Sequence, residues 1–192
     1  AGTTPIMTVG PAVQTGNWSH MMIEEPNSNM VRNFFQIDIG NGELAYTRDG
    51  NFTLDDEGRL VTVDGYFLDP QPGNIDPNET QVQISPEGRI FQRLPGNDEM
   101  VEVGRIQLFS FINPAGLEPI GDNRWIESEA SGAAVQGNPG EDGFGTIQGG
   151  WMEQSNVDAI SEMVNMIAAQ RAYEFNSKSI TTVDTMLETV IG

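Results

Sequence analysis

All 11 Pro of this 192-residue chain lie before Trp151, and so does every Gly except the last residue, Gly192. Gly and Pro are the residues that interrupt regular helix most strongly, so their distribution limits where a long helix can run. The chain therefore divides near Gly150 into a heavily punctuated part and a part free of breakers. The expected fold class is mainly β with a long C-terminal α-helix: an antiparallel meander or small barrel-like β domain plus a coiled-coil-forming helix.

In the first part, short runs of branched and aromatic residues recur at 34–39, 43–48, 51–54, 59–63, 81–85, 89–94, 103–111 and 124–127. Turn signals separate them: Asn41-Gly42, Asp49-Gly50, Glu57-Gly58, Asp64-Gly65, Pro86-Glu87-Gly88 and Pro95-Gly96-Asn97. An Asx-Gly pair between alternating runs is a strong hairpin signal, because both residues tolerate positive φ. Turns this closely spaced favour antiparallel hairpins over βαβ units. Residues 69–80 and 128–145 read as long loops. The domain reading is 1–33 irregular or extended, 34–146 β domain, and 147–192 C-terminal helix for axial assembly.

Beyond Gln154, Ser155 or Asn156 can cap a helix that then runs through good helix formers. Val157, Ile160, Val164, Ile167 and Arg171 follow helical spacing, and Val183, Met186, Leu187 and Val190 resume it. Met163, Met166 and Tyr173 widen the stripe, and Glu174 borders it beside Arg171. A continuous helix over 157–191 would be about 50 Å long. Such a stripe must be buried, either by folding back over the β domain or against partner helices; its length favours the partner.

The formal net charge is −19, from 28 Asp+Glu against 9 Lys+Arg. A surface this acidic repels phosphate backbones and anionic membranes, so neither nucleic acid nor membrane insertion is an expected partner. No apolar run approaches the ~20 residues of a membrane helix. The N-terminus lacks the charged and apolar regions of a cleaved signal peptide. With no Cys and one His, thiolate metal sites and thiol nucleophiles are excluded, and no P-loop, HExxH or GxSxG motif occurs. His20 is expected to be locally hydrogen-bonded rather than catalytic. The cluster Asp55-Asp56-Glu57 lacks the ligand spacing of an EF-hand and is expected to form a solvated hairpin turn. Trp18, Trp125 and Trp151 are expected to pack as core rather than stack on sugars. The residues therefore give no catalytic, cofactor or metal site.

Three segments carry a family resemblance. AYTRDGNFTLDDEGRLVTVDGYFL (45–68) resembles the β hairpins of flagellar rod and hook axial proteins. GLEPIGDNRWIESEASGAA (116–134) and IQGGWMEQSNVDAISEMVNMIAAQRAYEFNSKSITTVDTMLETVI (147–191) resemble the distal-rod members of that family. The resemblance implies a non-enzymatic structural subunit, without cofactor, that assembles helically with copies of itself into a tube transmitting torque from motor to hook. Other rod proteins, the hook protein and the rings around the rod would be its partners. It also implies an extracytoplasmic, periplasmic rod location reached by type III export without a cleaved signal peptide. On this reading Val157, Ile160, Val164, Ile167, Arg171, Tyr173, Glu174, Val183, Met186, Leu187 and Val190 form the assembly interface. The family's N-terminal helix is not recognisable, so a fragment or processed chain is expected. The alternatives are a hook or proximal rod subunit or, from another class, a secreted carbohydrate-binding or hydrolysing β protein.

Overall fold

The computed structural model describes residues 9–26, 33–76, 81–93, 99–154 and 170. The longest strand, Asn33–Gly40, turns at Asn41-Gly42 and returns as Glu43–Thr47. Asn41 and Gly42 have φ of 58° and 77°, the left-handed pair that such a two-residue turn demands. Side chains alternate across this hairpin with period two, and both faces are apolar. Phe35, Ile37 and Ala45 point into one core while Phe34 and Tyr46 point into another.

The first core collects Met21, Ile23, Phe52, Leu60, Leu68, Ile90, Ile106 and Ile147 around the hairpin. The second is aromatic. Phe34 lies edge-on to Phe111 and Trp125, each at 5.8 Å, and Tyr46 meets Phe111 at 4.7 Å. Such edge contacts contribute about 0.5–1.5 kcal/mol each beyond area burial. The Tyr46 hydroxyl, buried there, accepts a hydrogen bond from Gln36 Nε2 at 2.9 Å. Desolvation pushes its pKa up.

Around the central hairpin the strands Phe52–Leu54, Leu60–Thr62 and Phe67–Leu68 extend the sheet on one side, with Arg124–Ile126 and Glu118–Gly121 on the other. A separate three-stranded antiparallel sheet joins Val82–Ile84, Arg89–Arg93 and Met100–Arg105. The expected run 103–111 is two strands, because the chain breaks pairing at Ile106-Gln107 before Leu108–Ser110. The expected turn at Pro95-Gly96-Asn97 lies outside the described residues.

Two hairpin turns in different sheets are built alike, although their likeness is easily missed among the many Gly turns. Leu54-Asp55-Asp56-Glu57-Gly58-Arg59-Leu60 matches Ile84-Ser85-Pro86-Glu87-Gly88-Arg89-Ile90 position for position. In both, the first turn residue accepts a backbone bond from the Gly and donates one to the Arg carbonyl. The Gly carbonyls then accept from the N–H of Ile75 and Ile106, at 2.9 and 2.8 Å, and both isoleucines are fully buried. Each turn thus anchors a later segment to the core. Asp55 Oδ1 also accepts from the N–H groups of Glu57 and Arg59. The acidic cluster is a self-satisfied turn, as its spacing implied.

The expected long C-terminal helix and coiled coil need correction. Among the described residues there is no helical element but the 3-10 turn Pro114–Gly116, and residues expected to open the helix are strands. Thr146–Gly149 and Trp151–Glu153 pair antiparallel with Met21–Glu24 and Ala12–Gln14. Their backbone groups are met by strands about 130 residues earlier, a pairing that local composition does not reveal. Residues 12–24, within the segment read from sequence as irregular or extended, supply the other half of the ladder. Gln170, the one described residue beyond Gln154, is exposed. The remainder of the expected helix, 155–169 and 171–192, lies outside the described residues.

Candidate functional site

The described chain enters and leaves the β unit side by side, along the ladder that pairs 12–14 with 151–153 and 21–24 with 146–149. Between these two stretches the N-terminal strand loops out over residues 15–20, while the other strand turns at Gly150. Gly150 bridges the interruption: its carbonyl accepts from Thr15 and Gly16, and its N–H donates to the His20 carbonyl. Within the loop, Asn17 Oδ1 accepts from the Ser19 N–H and hydroxyl. That fixes the Asn17 amide with its NH₂ toward His20 Nε2, at 3.2 Å, while His20 Nδ1 meets the Thr15 hydroxyl at 2.9 Å. His20 fastens a loop, in line with the local role expected of it.

Beneath the ladder sits a buried charge cluster centred on Arg48. The residue ends the strand Glu43–Thr47, at a corner shaped by two short side-chain turns. Thr47 Oγ1 accepts from the Asp49 N–H, and Asp49 Oδ1 from the Asn51 N–H. From there the Arg48 side chain runs inward and uses all five of its N–H donors. Nη1 donates to Glu25 Oε1 and the Asn33 carbonyl, both at 2.8 Å. Nη2 donates to the Ile23 carbonyl at 3.0 Å and Glu153 Oε2 at 2.7 Å, and Nε also reaches Glu153 Oε2. The Arg48, Glu25 and Glu153 side chains are 8%, 3% and 11% exposed.

Both glutamates are held on their other sides. Glu153 Oε1 accepts from the Gly10 N–H at 2.9 Å, and Glu25 accepts from the backbone and side-chain N–H groups of Asn33. One guanidinium therefore fixes the incoming strand, the central strand, the hairpin corner and the outgoing strand. A planar fork with five donors suits this task as a lysine ammonium does not. The arrangement has no chemical reactivity of its own; it can hold two chain segments together.

A flagellar basal-body rod protein FlgG of Agrobacterium fabrum is 38% identical over 185 residues, covering 96% of this chain and 68% of the relative. This chain belongs to the FlgG family of flagellar basal-body rod proteins.

A FlgG protein of Caulobacter vibrioides is 49% identical over 158 residues, covering 82% of this chain and 60% of the relative. The chain thus spans about three fifths of the length of that curated relative. A flagellar hook protein FlgE of Escherichia coli is 38% identical over 132 residues, covering 69% of this chain but 31% of the hook protein. The family model described as flagellar hook protein FlgE/F/G D1 domain matches residues 32–92, which contain the central hairpin and both twin turns. The model described as flagellar basal body rod FlgEFG protein C-terminal matches residues 148–192. Its match begins inside the outgoing strand of the ladder.

The residues expected to form the interface in this FlgG-family chain, Val157, Ile160, Val164, Ile167, Arg171, Tyr173, Glu174, Val183, Met186, Leu187 and Val190, all lie outside the described residues. Trp18 and Trp125 pack against the first and second cores, and Trp151 is half-buried in its strand. Among the described residues no group of three or more His, Asp or Glu side chains is placed to hold a metal ion. Sequence reasoning missed Arg48, Glu25 and Glu153. A usable signal was the scarcity of cations: with seven Arg and no Lys before Trp151, an Arg beside a tight turn between apolar strands stands out.

Proposed function

We propose that this chain is a structural subunit of the distal flagellar rod, which assembles helically with copies of itself into a tube carrying torque from motor to hook. The observation that carries the reading is the 38% identity with a FlgG protein across 96% of the chain. The junction supports it physically, since a subunit under load needs its incoming and outgoing segments fixed to one point of its β unit. The hook alternative draws on a relative matched over only 31% of its own length. Half-buried tryptophans offer little to a carbohydrate-binding alternative.

The contact set proposed for assembly is the apolar series Val157, Ile160, Val164, Ile167, Tyr173, Val183, Met186, Leu187 and Val190, with Arg171 and Glu174 at its polar border. Its support is the repeated spacing and the family model that covers 148–192. Burying each large apolar side chain contributes about 1.5–3 kcal/mol, so several together suffice to hold neighbouring subunits. The domain scheme expected from the sequence, an N-terminal segment to residue 33, a β domain over 34–146 and an axial assembly segment from 147 onward, is proposed with its boundaries moved to the ladder. The β unit takes in 12–24 and 146–153, and the axial segment follows Gln154. Neighbouring rod proteins, the hook protein and the surrounding rings are the proposed partners, and the periplasm, reached without a cleaved signal peptide, the proposed location. The role is assembly, not catalysis.

Removal of residues 156–192 tests this. The truncated protein is expected to keep the β spectrum and cooperative melting of the full chain while losing filament formation in electron micrographs. Filaments formed by the truncated protein would overturn the reading.

A further inference from the structure

Two stretches, 106–117 and 130–140, carry no Asp, Glu, Lys or Arg in a chain of net charge −19. The fold brings them together. Leu108–Ser110 pairs antiparallel with Val135–Gly137, Asn113 donates its N–H to the Ser131 carbonyl, and its Nδ2 donates to the Ala130 carbonyl. Alternate residues of the first stretch share a face, and that face passes from core to solvent within four residues. Leu108 is fully buried, Ser110 half-buried, and Ile112 is 89% exposed. Val135, opposite Ser110 in the register, is 51% exposed. Exposed Asn113, Ala115 and Ala133 add no charge around them, and the carboxylate of Glu127 reaches the edge of the strip, where Oε2 accepts the Ala134 N–H.

We propose that this uncharged face, centred on Ile112 and Val135, is where a second copy of this chain docks. The charge distribution selects the occupant. A cationic partner would be drawn to the carboxylates that dominate the chain, and it gains nothing from a neutral strip. A molecule that is itself strongly acidic approaches most easily where few carboxylates must be stripped of water against one another, and at this edge the Glu127 carboxylate is already engaged by a backbone N–H. A second copy has that charge. The inference rests on the rod-subunit reading, and it adds a contact surface on the β unit to the segment after Gln154.

The test compares the full chain with Ile112→Asp, Val135→Asp and the control Val63→Asp, whose side chain is 70% exposed elsewhere. Assembly is followed by sedimentation and electron microscopy across a concentration series, and folding by thermal melting. The unsubstituted chain is expected to assemble. Ile112→Asp and Val135→Asp should each raise the concentration required by roughly tenfold or more, with melting unchanged and Val63→Asp without effect. If Ile112→Asp melts early, Val135→Asp carries the comparison. Both variants assembling at the unsubstituted concentration would overturn the docking face while leaving the rod reading intact, and loss of assembly by Val63→Asp as well would overturn it as a general charge effect. Failure of the unsubstituted chain to assemble would overturn both.

Discussion

The Arg48 junction and the Ile112 face treat charge in opposite ways. The junction buries three ionic side chains and satisfies them within one subunit, whereas the face exposes large apolar side chains from two stretches that carry no charged residue. The contrast separates what a fold needs from what its surroundings need. Buried ions are costly unless every donor and acceptor is met, so a cluster like Arg48's has few alternative arrangements and fixes strand geometry. An exposed apolar side chain constrains the fold little and is informative about neighbours.

The sharpest way to break this comparison is Arg48→Ala. It takes the guanidinium away from two buried carboxylates and is expected to lower unfolding free energy by about 3–5 kcal/mol in urea titrations. The triple change Arg48→Met, Glu25→Gln, Glu153→Gln should recover much of that loss, because the uncompensated charges leave with their partner. A deficit under 1 kcal/mol for Arg48→Ala would mean the junction is not the anchor described.

Gly50→Ala probes the same region without touching charge. A Cβ there would lie 1.5 Å from the Met21 carbonyl oxygen, in the corner where Gly50 accepts the Met21 N–H. The backbone must shift, at an expected cost of about 1–3 kcal/mol read from the melting temperature. An unchanged melting curve would show that this corner gives way freely.

Salt sharpens the difference between regions. The junction's ions are shielded from solvent, so the stability lost on Arg48→Ala should stay nearly constant in moderate salt. Repulsion between copies carrying −19 is screened over about 10 Å at 0.1 M salt, so assembly should strengthen as salt rises. Light scattering that fell with added salt would contradict this.

The smallest expected effect lies in the Asp55 turn, remote from both regions in role. The Arg59 backbone N–H, followed by the Arg59 side chain and the Glu57 N–H, holds the Asp55 carboxyl below its ordinary pKa. A depressed folded value means the carboxylate's contribution is complete above the unfolded value of about 4 and is lost as pH falls through the lower folded value. Asp55→Asn should therefore lower stability slightly at neutral pH, leave it nearly unchanged at low pH, and so flatten the acid side of the stability profile. An equal loss of stability at pH 7 and pH 3 would reject the assignment.

Local signals in the sequence located most hairpins. Asn41-Gly42 and the Gly58 and Gly88 turns sit where their chemistry places them, because a tight turn is decided by a few adjacent residues. The runs at 34–39 and 43–48 likewise mark the central strand pair, whose division between two cores only the structure shows. What the sequence did not disclose depends on distant partners. Residues 12–14 and 21–24 become strands only because 146–153 lies beside them, and Gly149-Gly150 reads locally as a boundary rather than as a link in a ladder. Arg48 is similar: its carboxylate partners lie 23 and 105 residues away, and nothing in Tyr46-Thr47-Arg48-Asp49-Gly50 announces them. The stretch assigned to the C-terminal helix from residue 147 opens on strands for the same reason.

The side-by-side ladder of incoming and outgoing strands has a mechanical consequence. Pulling residues 9 and 154 apart would load its hydrogen bonds one after another, as in a zipper, rather than all at once in shear. Such a seam resists sliding far better than peeling. Glu153, bonded to both the Gly10 N–H and Arg48, stands at the open end, where peeling would begin. The β unit is therefore toughest when its two tails are kept together, and that is a condition its neighbours must supply.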